Sequence, residues 1–209
     1  MIGDKLVIEE YHEENGRRVA AACLPEIKKA GRIYTLTVAG ESGSGKSETA
    51  ATTAQELEKA GLRVAILGQD DYFVLPPKSN SAKRKEDISW VGLGEVKLAL
   101  MDEHLRAAKA GEKTIVKPNV IFEEDRISEE TISLEGIDVV IAEGTYTTAL
   151  KEADFHAFID KTYHDTLSHR QKRARDETEG AFIETVLEIE HKIISGHKSR
   201  AEIILPKQY

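Results

Sequence analysis

The chain has a single cysteine, Cys23, among 209 residues. That excludes an internal disulfide and a cysteine-based metal cluster, and it suits a reducing compartment. No apolar run is long enough to cross a bilayer, and the stretch from Met1 to Glu10 lacks the apolar core of a secretory signal. A basic surplus is missing too: 29 Lys and Arg against 37 Asp and Glu give a formal net charge of -8. Nucleic acid and membrane surfaces, both polyanionic, are therefore not expected partners. The seven histidines show no metal-ligand spacing. What remains, 40% hydrophobic and 32% charged residues, is the composition of one soluble, cytoplasmic domain over residues 1–209 acting on small molecules.

Short apolar runs alternate with longer segments of helical pattern: Ile33 to Ala39, Arg63 to Leu67, Thr114 to Val116, Ile137 to Ala142 and Ile203 to Leu205. Such alternation predicts crossover connections and a parallel sheet covered on both faces, a three-layer α/β/α sandwich. Lys46 to Lys59 and Glu95 to Lys109 read as helices closed by Gly61 and Gly111. Residues 165–200 read as a helical segment broken near Gly180. Ahead of the first run, Lys5 to Tyr11 and Arg17 to Ala22 flank Asn15-Gly16, a strong turn signal, so residues 1–31 are expected to form a β-hairpin extension. That appendage would carry Cys23 as a small buried hydrophobe. It would either cover a sheet edge or mediate a homo-oligomer.

Directly after the first apolar run comes Gly40-Glu41-Ser42-Gly43-Ser44-Gly45-Lys46-Ser47. A strand, a glycine-rich turn of this spacing and a helix together form a phosphate cradle, in which backbone amides and the helix N-terminus meet anionic oxygens. Lys46 would face the outer phosphates and the Ser47 hydroxyl would coordinate magnesium. Neither a guanine-reading Asn-Lys-x-Asp nor a Leu-Ser-Gly-Gly transporter signature is present.

Ligands of a parallel sheet sit outside the carboxyl ends of its strands. Two such ends carry acids: Gly68-Gln69-Asp70-Asp71 and Ala142-Glu143-Gly144. Phosphoryl transfer needs one carboxylate near the metal and another to orient or deprotonate the attacking hydroxyl. Asp70 and Glu143 are the candidates, and Asp71 reads as turn chemistry.

These elements resemble the uridine kinase and phosphoribulokinase family of P-loop kinases. The likeness continues through Gln69-Asp70-Asp71-Tyr72-Phe73, Phe158-Ile159-Asp160, Arg170-Gln171-Lys172-Arg173-Ala174-Arg175-Asp176 and Ala201-Glu202-Ile203-Ile204-Leu205-Pro206. The resemblance implies ATP and Mg2+, Asp70 as the base toward the acceptor hydroxyl, and Ser47, Asp70 and Glu143 around the metal. It also implies a lid that places Arg170, Arg173 and Arg175, with Lys172, over the phosphates; charge accumulating on the phosphoryl group gives such donors a physical role.

The acceptor side departs from the nucleoside kinases. Their Asp-rich ribose segment is replaced by Glu86-Asp87-Ile88-Ser89-Trp90, leaving Asp87 alone as a ribose ligand. Their Pro-x-Tyr-Asp-Phe element is replaced by Lys117-Pro118-Asn119-Val120-Ile121-Phe122. Residues 72–94 and 117–130 are the expected acceptor walls, with Tyr72, Asp87, Trp90, Asn119 and Arg126 as candidate contacts. Trp90 reads equally as a core anchor. A nucleoside is the first reading of the acceptor. Lys78, Lys83, Arg84 and Lys85 read either as a solvated loop or as a site for a sugar phosphate or organic acid. A nucleotide-binding regulatory protein without turnover is the alternative from another class.

Overall fold

In the computed structural model of the chain, residues 6–166 and 180–206 are described. A five-stranded parallel sheet has the order β2-β5-β1-β6-β7, with β1 Tyr34–Gly40, β2 Val64–Gly68, β5 Val139–Gly144, β6 Phe155–Ile159 and β7 Ile203–Leu205. β1 lies at the centre, in parallel register with β5 on one side and β6 on the other. Every residue of β1 is buried, which is why its sequence shows no polar alternation.

Alternate residues divide between two cores. Tyr34, Leu36 and Val38 join Val139, Ile141 and Ala157 beneath α1 (Glu10–Ala30) and α2 (Lys46–Lys59). Ala39, Leu67, Val140 and Ala142 meet Met101 and Leu105 of α4 (Leu98–Lys109) on the other face. Each fully buried aliphatic side chain contributes about 1.5–3 kcal/mol. The two threonines of β1 are hydrogen-bonded: Thr37 Oγ1 lies 2.7 Å from His156 Nδ1, and Thr35 Oγ1 donates to the Glu152 carbonyl at 2.8 Å.

The expected N-terminal hairpin is a helix. Residues 10–30 form α1, and Asn15-Gly16 lies inside it. The buried positions His12, Asn15, Gly16, Val19, Ala20, Cys23 and Ile27 recur at helical spacing, a stripe that outweighs the turn signal. Gly16 serves close approach: a Cβ there would lie 2.5 Å from Thr52 Oγ1 of α2, and the Thr52 hydroxyl donates to the His12 carbonyl at 2.7 Å. The helix ends at Gly31, whose left-handed φ of 64° caps it. Cys23 is fully buried here, and burial pushes its thiol up to about 12.

Thr114 to Val116 is strand, but not in the parallel sheet. It opens β3 (Thr114–Ile121), which pairs antiparallel with β4 (Arg126–Ser133) as a separate two-stranded sheet. Only four residues join the two strands, too few for a crossover. The acceptor-side segment contains a helix, α3 (Pro77–Glu86), begun by proline at its first turn. Behind residue 180 runs α5 (Gly180–Ser195). Among the described residues no helix is long and apolar enough to cross a membrane.

Candidate active site

The glycine-rich stretch is the connection between β1 and α2. Gly43 and Gly45 take left-handed φ values of 72° and 88°, open to glycine at little cost. A Cβ on Gly45 would run into the His12 ring of α1, so α1 forms the floor of the loop. Lys46 Nζ donates to the Glu41 carbonyl at 3.0 Å, across the loop. Ser44 is fully buried, and its hydroxyl has no hydrogen-bond partner among the described residues.

Ser47, Asp70 and Glu143 converge at the strand ends. Ser47 Oγ donates to Glu143 Oε1 at 3.2 Å, which brings the start of α2 against the end of β5. Burial first, and the negative charge of Asp70 second, push the Glu143 carboxyl up to about 7. Asp70 itself is exposed, on a single turn of 3-10 helix spanning Gln69–Tyr72. That turn is held by Gln69, whose Oε1 accepts the Tyr146 amide at 2.7 Å and whose side chain packs on Gly144. Two carboxylates, one of them buried with its proton affinity raised, form beside a hydroxyl an all-oxygen donor set that suits a hard divalent cation completed by phosphate and water. Mg2+ fits these residues.

Asp71 points the other way. Its side chain is buried, Oδ2 lies 2.8 Å from Lys117 Nζ, and Oδ1 accepts the Val120 amide at 3.0 Å. It therefore fastens β3 to the end of β2.

Glu41, read as a nucleotide-loop residue, turns its buried carboxylate away from the loop. Oε1 lies 2.6 Å from His191 Nδ1 on α5, and Oε2 accepts the Tyr163 amide at 2.6 Å. The Ser42 carbonyl accepts the Thr166 hydroxyl at 2.8 Å. The Glu41 carboxylate is thus held by residues outside the loop. Arg170, Lys172, Arg173 and Arg175, read as lid cations, lie outside the described residues.

The acceptor-wall candidates do not share one surface. Tyr72 is a correction: its ring is fully buried and its hydroxyl lies 2.8 Å from His104 Nδ1 in the α4 core, so it cannot touch an acceptor. Asp87 caps the turn at Ile88–Trp90, accepting from the Ser89 amide and hydroxyl at 3.1 and 2.6 Å. The Trp90 indole is half-buried and donates to Asn80 Oδ1 at 2.8 Å. Asn119 is half-buried on β3, where its carbonyl accepts from the Ser128 hydroxyl at 3.1 Å. Arg126 is exposed and paired with Glu124 at 2.8 Å.

The four-cation stretch is mostly engaged by its own chain. Lys78 donates to the Glu123 carbonyl at 3.0 Å, Lys83 to Glu86 at 3.2 Å, and Arg84 to both Glu95 and Glu190. The contacts of Glu95, Lys117, Glu190 and His191 are not marked in the sequence, where Glu95 reads only as a helix start, Lys117 as part of an acceptor wall and His191 as a histidine without metal spacing. The tertiary partners that give these polar residues meaning are distant in the chain, and no local pattern marks them.

Comparison with known proteins agrees with this architecture. The Phosphoribulokinase / Uridine kinase family profile matches residues 35–206. The chain is 28% identical to the bifunctional alpha-galactosidase/sucrose kinase AgaSK of Mediterraneibacter gnavus over 87% of its own length, and it spans 22% of that protein. It is 29% identical to a uridine kinase of Yersinia pestis (strain Pestoides F), covering 86% of this chain and 89% of that one. A solved structure described as a possible uridine kinase from Bacillus stearothermophilus superposes with a TM-score of 0.62 at 24% identity, over 92% of this chain and 97% of the other. The chain belongs to the phosphoribulokinase and uridine kinase family of P-loop kinases.

Proposed function

We propose that the protein transfers a phosphoryl group from ATP, with Mg2+, to a hydroxyl of an uncharged polyhydroxyl metabolite, a nucleoside such as uridine or cytidine being the first acceptor to test. The observation that carries this reading is the convergence of Ser47, Asp70 and Glu143 beside Lys46. In the reaction the acceptor oxygen attacks the γ-phosphorus, the bond to the β-γ bridging oxygen breaks, and the acceptor proton passes to Asp70. Ser47 and Glu143, with Asp70 alongside, would hold Mg2+, which supplies positive charge against the transferring group. Lys46 stabilises the same developing charge from the loop.

An uncharged acceptor is favoured because Lys78, Lys83, Arg84 and Arg126 are each occupied by a carboxylate or carbonyl of their own chain. A phosphorylated or carboxylate acceptor would have to compete for them. Within this class a free sugar is the second acceptor to test, given the 28% identity to a protein named as a sucrose kinase. The experiment is ADP release with Mg2+ and ATP against uridine, cytidine, sucrose, fructose, ribulose 5-phosphate, glycerate and pantothenate. Turnover only with an anionic acceptor would overturn the acceptor class. Tight ATP binding with no turnover on the whole panel would favour a regulatory protein.

A further inference from the structure

A polar chain, bridged at one step only by the backbone of α5, runs from the nucleotide loop to the acceptor-side segment, and nothing in the phosphoryl-transfer chemistry requires it. It starts at Glu41, whose Oε1 lies 2.6 Å from His191 Nδ1 on α5. The preceding residue on that helix, Glu190, accepts from Arg84 Nη2 of α3 at 3.1 Å. Arg84 also forks onto Glu95, with Nε to Oε2 and Nη2 to Oε1 both at 2.7 Å. Glu95 Oε2 accepts from Asn80 Nδ2 at 3.0 Å, and Asn80 Oδ1 accepts the Trp90 indole at 2.8 Å. Glu95 Oε1 also accepts the Gly92 amide at 3.1 Å, fixing the turn behind Trp90.

Most of this chain is out of solvent: Glu41 is 6% exposed, Asn80 6%, Glu95 0% and Glu190 8%. Two buried carboxylates share one guanidinium, and burial raises the proton affinity of Glu190 despite that contact. Apolar side chains of similar volume would stabilise such a junction as well or better. What the charged version adds is register: the bidentate fork tolerates little sliding of α3 against the turn at Glu95. The junction ties α3 and the nearby turn at Glu95 to α5, 106 positions along the chain from Arg84, and Glu190 and His191 ride on one rigid helix. A displacement of α5 at its contact with the nucleotide loop must therefore reach Arg84.

We propose that Arg84 and Glu190 are positioning residues that hold α3 and the Trp90 turn in register with the nucleotide loop, with α5 as the rigid connector. The inference rests on the kinase reading, since it takes the loop to bind nucleotide. Nucleotide entering the loop shifts Glu41 and α5, and the acceptor-side segment follows through Arg84.

Trp90 is the only tryptophan in the chain, so its emission reports on the far end of this network. The full chain is titrated with ATP and Mg2+, no acceptor present, while binding is followed in parallel by calorimetry. The expected result is a saturable change in Trp90 emission with the same midpoint as the calorimetric isotherm. In Glu190→Gln the affinity for ATP stays within about threefold while the emission change falls by at least about half. His191→Leu, a substitution at a partly exposed site, breaks the chain independently and gives the same loss should Glu190→Gln not fold. Lys192→Ala, on an exposed side of α5, keeps the full response. Unaltered responses in Glu190→Gln and His191→Leu overturn the inference, as does a wild type that binds ATP with silent Trp90. A wild type that binds no nucleotide sinks the kinase reading itself, and the inference with it.

Discussion

Asp71 and Lys117 form a buried ion pair, Oδ2 to Nζ 2.8 Å, one residue away from the exposed Asp70. Each side chain is 6% exposed, and Lys117 reaches Glu130 on β4 at 3.1 Å as well. The pair thereby ties both strands of the β3-β4 hairpin to the turn that carries Asp70. Lys117→Met removes the ammonium that faces the buried Asp71 carboxylate, and a loss of about 3–5 kcal/mol in unfolding free energy is expected. Adding Asp71→Asn removes that charge while keeping an oxygen for the Val120 amide, so the double variant recovers the greater part of the loss. Urea denaturation of the two single variants and the double measures this. A double variant no more stable than Lys117→Met would show that packing rather than charge holds the hairpin.

Asp70 and Glu143 separate by kind of defect. Asp70→Asn keeps the volume but accepts no proton, so acceptor-dependent ADP release should fall by roughly two to four orders of magnitude with ATP affinity nearly unchanged. Glu143→Gln keeps the hydrogen bond from Ser47 and loses the charge, so a higher Mg2+ concentration is needed for half-maximal turnover. Steady-state rates titrated with ATP and with Mg2+ check both. The assignment is wrong if Asp70→Asn turns over at close to the wild-type rate.

The N-terminal helix makes a prediction at a single atom. A Cβ on Gly16 would lie 2.5 Å from Thr52 Oγ1 and 2.7 Å from the Thr52 backbone carbon. Gly16→Val therefore forces α1 and α2 apart, at a cost of about 1–3 kcal/mol, and lowers the thermal midpoint. Thr52→Ala gives up the hydroxyl contact to the His12 carbonyl but makes room. The two changes together should be less destabilising than the sum of each alone. Additive midpoint shifts would contradict the packing.

The same helix shows where the sequence was legible and where it was not. β1, the glycine-rich loop and α2 were readable because strand, turn and helix signals follow one another locally, and α2 has the expected limits Lys46–Lys59. Asp70 and Glu143 could be singled out because strand ends in a parallel sheet are where ligands sit. Asn15-Gly16 misled because its local preference for a turn is overridden by the buried stripe from His12 to Ile27 and by the approach of Thr52. Tyr72 follows two acids at a strand end and resembles a wall residue, yet His104, 32 positions away, draws its hydroxyl into the core. Phe155–Ile159 is a sheet strand whose pattern is masked by His156 among its apolar residues. That histidine is accommodated only because Thr37 on the adjacent strand meets it. In each failure the deciding partner is remote in sequence.

Asp154 gives a stability prediction that depends on pH. Burial alone would raise its pKa, but two bonds from Arg32 at 2.8 Å and the Thr35 amide at 3.0 Å outweigh it, holding the carboxyl down to about 2 against an ordinary 3.8. A carboxylate with a depressed folded-state pKa contributes stability that is complete above its unfolded pKa and disappears as pH falls through the folded one. The contribution is therefore full at neutral pH and declines between about pH 4 and about pH 2. Asp154→Asn should be less stable than wild type at neutral pH by on the order of 1–2 kcal/mol, allowing for solvent screening at the exposed Arg32. The gap between the two should narrow as the pH is lowered through that window, because the other carboxylates titrate alike in both proteins. Urea denaturation at neutral pH and at several points below pH 4 tests it. A gap that stays constant would mean that Asp154 stabilises β1 and β6 through shape and neutral hydrogen bonds rather than through its charge.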